Sequence, residues 1–126
     1  MPPRDQPADE PYESRDLELG RCLQSWAEAN AASPLDLELV GPLDAPGMDP
    51  TWILRMSGSL LEAEVHLFYG PRVDISAFST QDPQGVMFVA GEDAITEQRL
   101  IAMLNALERM NRGDAVPTWL RHPSGP

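Results

Sequence analysis

The chain has 126 residues, 42% of them hydrophobic, which suits one domain with one core and leaves no room for a second. Nine basic residues, all arginine, stand against twenty acidic ones for a formal net charge of −11, so a polyanionic nucleic acid would be repelled rather than bound. The single Cys22 excludes an internal disulfide, and no run reaches the ~20 apolar residues of a membrane-spanning helix.

The N-terminus, Met1-Pro2-Pro3-Arg4-Asp5, lacks the layout of a secretory signal, and the expected location is the cytoplasm. Residues 1–13 intersperse Pro2, Pro3, Pro7 and Pro11 with charges and read as a flexible acidic tail, too poor in apolar surface to offset the entropy of ordering. The single domain is expected over residues 14–120 and a loose C-terminal tail over 121–126.

From Leu17 the pattern becomes helical. Leu19, Leu23 and Trp26 fall on one stripe with Cys22 and Ala27 beside them, Ser14 or Asp16 is available as the N-cap, and Pro34 marks the exit. Cys22 reads as a small buried hydrophobe rather than a nucleophile, because a reactive thiol needs an electropositive, accessible setting. Next, 35–40 alternates leucine with acidic residues, the period of a half-buried strand. Gly41 to Pro50, with three prolines and two glycines, reads as a loop.

Trp52 to Met56 and Leu61 to Tyr69 form a hairpin around Ser57-Gly58-Ser59. Gly70-Pro71 turns the chain into Arg72 to Ser79, and Asp82-Pro83-Gln84-Gly85 turns it again into a short strand over 86–90. Gly91-Glu92-Asp93 then opens a last helix, capped by Asp93 or Thr96, with Leu100, Met103, Leu104, Leu107 and Met110 on one stripe and Gly113 at its end. Val116 to Leu120 is placed to fold back onto the domain.

This order predicts an α+β fold: a meandering antiparallel sheet of about five strands, with the N-terminal and C-terminal helices packed on one face. Alternation then turns Leu54, Met56, Leu61, Ala63, Val65, Leu67, Val73 and Ile75 toward the helices, together with Trp52. Ile53, Arg55, Glu62, Glu64, His66, Phe68, Asp74, Ser76 and Phe78 are left on the other face.

Catalytic equipment is not evident. Glu62, Glu64 and His66 share a strand face, but alternate residues stand about 7 Å apart at each step, so a solvated strand face is the better reading than a metal site. The glycines are scattered among turns with no phosphate-cradling loop, and nothing brings Cys22 to His66 or His122 as a nucleophile and base. The expectation is a non-enzymatic protein with no metal and no cofactor that works by binding another protein.

The helix bearing Leu23 and Trp26, the run Leu61 to Gly70 and the Leu-rich helix Leu100 to Met110 resemble the layout of small bacterial immunity proteins of polymorphic toxin systems, in particular the TriTu type. In that family a strand ends in an aromatic "W-x-x-G"-like turn; here Leu67-Phe68-Tyr69-Gly70 occupies the place, with Phe68 or Tyr69 where tryptophan would stand. The resemblance implies a cytoplasmic antidote that covers a cognate toxin domain, for that type an ADP-ribosyltransferase attacking elongation factor Tu.

On the face assignment above, the expected partner-binding residues are Glu62, Glu64, His66, Phe68, Asp74 and Phe78, facing a basic toxin domain. The alternative is a secretion chaperone or adaptor that holds an effector client as a dimer. A small enzyme would instead require a deep pocket converging on His66.

Overall fold

The computed structural model describes residues 18–43, 51–68, 72–80 and 85–122. Five strands, β1 (Asp36–Leu43), β2 (Thr51–Ser57), β3 (Leu61–Phe68), β4 (Arg72–Ser79) and β5 (Met87–Glu92), form one antiparallel sheet in sequential order. Helix α1 occupies 18–29 and α2 occupies Glu97–Met110, giving the α+β meander that the sequence pattern predicts.

Period-two alternation decides which side of the sheet is dry. Leu61, Ala63, Val65 and Leu67 of β3 are buried, and their register places Leu54 and Ile75 on either side of Val65. These side chains join one cluster with Leu19, Leu23 and Trp26 of α1 and with Leu100, Met103, Leu104 and Leu107 of α2. Both helices therefore cover the same sheet face, and the residues between the buried ones point away from the core.

The helices are fixed by a few specific contacts. Trp26 Nε1 donates to Asn105 Oδ1 at 2.8 Å, tying α1 to α2, while the Trp52 ring lies where a Cβ on Gly20 would have to sit, 2.6 Å from Cε2. Thr96, one of the two expected caps, accepts from Arg99 N at 3.1 Å. At the other end of α2, buried Asn111 accepts from Leu60 N at 2.9 Å, and Gly113 adopts φ 109° as the chain turns away.

Several boundaries differ from expectation: α1 ends at residue 29, ahead of the exit expected at Pro34, and Ser57 closes β2 instead of opening the turn. β1 runs on through Gly41 and Pro42 with a register shift between Val40 and Leu43; an outer strand tolerates proline because its missing N–H need not pair. Gly91 and Glu92 end β5 instead of opening the helix, since Gly91 pairs with Asp74 and Glu92 with Val73. Arg121, assigned to the loose tail, exchanges two backbone hydrogen bonds of 2.8 Å with Val89, and Leu120 beside it is buried.

Cys22 is half-buried against the core, and burial, followed by the nearby Glu97 charge, pushes its thiol up. The expected 1–13 tail, the caps Ser14 and Asp16, residues 44–50, Tyr69, the Gly70-Pro71 turn, residues 82–84 of the next turn and residues 123–126 lie outside the described residues. No described helix is long and apolar enough to cross a membrane.

The contact between the β2–β3 turn and the end of α2 makes a measurable claim. A Cβ at Gly58 would lie 2.2 Å from Asn111 Oδ1, so Gly58→Ala must displace the side chain that satisfies Leu60 N. Each of Gly58→Ala and Asn111→Ala is expected to cost about 1–3 kcal/mol in urea unfolding, and the double variant much less than the sum. Additive losses would show that the two residues do not act through one contact.

Candidate protein-binding face

The uncovered side of the sheet is read most easily as rows across the strands. One row contains Asp36, Ser57, Glu62, Phe78 and Met87; the next contains Glu38, Arg55, Glu64, Ser76 and Val89; a third contains Val40, Ile53, His66, Asp74 and Gly91. Phe68 and Arg72 pair at the end of the face. All six residues expected from the sequence, Glu62, Glu64, His66, Phe68, Asp74 and Phe78, thus lie on one surface, and each is half-buried.

The charges form short chains rather than isolated pairs. Arg55 stands between two carboxylates, with Nε 3.2 Å from Glu64 and Nη1 3.5 Å from Glu38. Glu64 also meets His66 Nε2 at 2.9 Å, and Glu62 accepts from Ser57 Oγ. Arg72 lies 2.7 Å from Asp74 and 3.2 Å from Asp93. Gly91 opposite Asp74 leaves space for this pair, since a Cβ there would be 2.7 Å from Arg72 Nη2.

Two shallow depressions mark the face. The first, about 620 Å³, has Glu62, Glu64, Arg55, Phe78 and Met87 in its lining. The second, about 850 Å³, is bordered by His66, Phe68, Asp74 and Arg72, with Trp119 and Arg121 contributed by the returning C-terminal segment. Arg99 holds that segment, ion-paired to Glu92 and stacked 5.8 Å above the Trp119 ring centroid.

The surface thus carries acidic groups around a few apolar side chains, Phe68, Phe78 and Met87. Among the described residues no group of His, Cys, Asp and Glu is arranged to hold a metal ion. Sequence reasoning left Asp36, Glu38, Arg72, Met87, Trp119 and Arg121 out of the candidate site. The acidic alternation of β1 was a visible signal for Asp36 and Glu38, whereas Trp119 and Arg121 come together with the face only through a tertiary bridge. No protein-family model matches the chain, and no match was found among curated proteins or solved structures.

The ion pairs predict a pH dependence. The His66 hydrogen bond first, and Arg55 after it, holds the Glu64 carboxyl below the ordinary carboxylate value against the opposing effect of burial. Arg99 does the same for Glu92. Carboxyls depressed in the folded state contribute stability above their unfolded pKa and lose it as pH falls through the folded values. Carbon-detected NMR titration is expected to place both below exposed glutamates, and Arg99→Gln to raise Glu92 toward the ordinary value. An unchanged Glu92 titration in that variant would contradict the assigned partner.

Proposed function

We propose that this chain is a non-enzymatic antidote of the immunity-protein kind, which binds a basic toxin domain with the open face of its sheet and covers that domain's active site. The observation that carries the reading is the uncovered face itself, where acidic groups surround Phe68, Phe78 and Met87 on a sheet whose other side is sealed by two helices.

Scale supports the reading. Five strands about 4.8 Å apart and about 25 Å long present on the order of 600 Å², comparable with the roughly 800 Å² that each partner buries in a standard interface. Charge supports it as well, because a net −11 accelerates encounter with a cationic partner. Occlusion requires no reactive group on the antidote, only a stable complementary surface. An ADP-ribosyltransferase as the toxin is the finer form of the proposal and follows from the resemblance to TriTu-type immunity proteins.

The test is affinity capture of a stoichiometric partner from a lysate of the source, followed by expression of the captured domain alone and together with this chain. Growth arrest by the domain, relieved by co-expression, is expected. Glu62→Arg combined with Glu64→Arg should weaken the complex about tenfold or more, chiefly by slowing association, and flatten its salt dependence. Loss of mass-detectable modification on elongation factor Tu would identify the toxin activity. Several clients held by a dimer, or unchanged affinity in the double variant, would overturn the reading.

A further inference from the structure

The two edges of the sheet are closed differently. Beyond β5, Val89 is paired with Arg121, so that edge is partly covered. Beyond β1, among the described residues, no strand is paired. An outermost strand turns the N–H and C=O groups of alternate residues outward, where they form a template for another extended chain. The usable stretch is Asp36–Val40, because the register then shifts and Pro42 has no N–H to offer.

Different chemistry borders this edge above and below. On the open face, Glu38, Arg55 and Glu64 form a cross-strand row of alternating sign, so the next position outward from Glu38 favours a positive charge. Asp36 lies two residues away on the same side and repeats the demand. On the helix side, Leu37 and Leu39 are only half-buried and, with Ala27, Ala31 and Leu35, line a shallow groove of about 380 Å³ between α1 and β1.

We infer that the β1 edge receives an extended segment of a protein partner in which lysine or arginine alternates with apolar residues. Its backbone extends the sheet, its basic side chains meet Asp36 and Glu38, and its apolar ones cover Leu37 and Leu39. The inference rests on the reading of the chain as a protein-binding module; it shares Asp36 and Glu38 with the margin of the open face but depends on the β1 backbone edge and not on Glu62 and Glu64. A second copy of the chain is the wrong occupant, since it would bring the same acidic edge and another net −11.

The probe is a labelled, end-blocked peptide of three Lys-Val repeats, titrated into the full chain by fluorescence anisotropy and by NMR. Saturable binding is expected, with slowed amide exchange confined to β1. The same peptide N-methylated throughout keeps its charge but loses its donors, and should bind at least tenfold more weakly. Asp36→Arg with Glu38→Arg should abolish binding of the Lys-Val peptide and admit a Glu-Val one, and an unchanged melting temperature establishes that this variant is folded. Equal binding of the N-methylated peptide, perturbation centred on Glu62 and Glu64, or sedimentation of the chain as a dimer joined through β1 would overturn the inference. Because the peptide assay uses no natural partner, its failure leaves the antidote reading standing, and failure of that reading leaves the peptide result intact.

Discussion

The register of β3 between its two neighbours governs this structure. Leu39, Leu54, Val65, Ile75 and Ala90 form one unbroken row across all five strands on the helix side. Because strand side chains alternate, slipping β3 by one residue would place Glu62, Glu64 and His66 under the helices and send Leu61, Val65 and Leu67 into water. Burying unpaired carboxylates costs far more than any surface contact returns, so the apolar row fixes the composition of both faces at once. The open face inherits its acids from the strand period that builds the core.

That inheritance leaves a surface that must hold many like charges without disrupting the sheet. Two of the arginines resolve the conflict by standing between carboxylates, Arg55 between Glu38 and Glu64 and Arg72 between Asp74 and Asp93. These side chains are substantially open to solvent, so each pair contributes little to stability. Their larger effect is positional. Arg55 and His66 together hold the Glu64 carboxylate in one place on the face.

Most of the fold was legible because its signals are local and repeated. The alternation Leu61-Glu62-Ala63-Glu64-Val65-His66-Leu67-Phe68 identifies both the strand and its dry side, and Arg72–Ser79 matches its expected bounds. The departures occur where a tertiary partner overrides a local cue. Gly41 and Pro42 signal a loop, yet β2 continues to pair beyond them; Gly91 and Glu92 suggest a helix start, yet β4 holds them in the sheet. Arg121 has no local signal at all, since its order comes from Val89, far away in sequence. The six candidate residues could be placed on one face by period alone, but the arginines that organise them depend on which residues sit opposite, and that is set by the pairing register.

A few long-range polar contacts set how the layers meet. Trp26 to Asn105 fixes one helix against the other, and Asn111 to Leu60 fixes the end of α2 against the β2–β3 turn, both far along the sequence from their partners. Apolar packing alone is non-directional and would allow the helices to slide over a row of leucines and valines. A directional hydrogen bond penalises such sliding, most of all at buried Asn111, where displacement would separate the Leu60 N–H from its acceptor. The platform beneath the open face is thereby held in one arrangement.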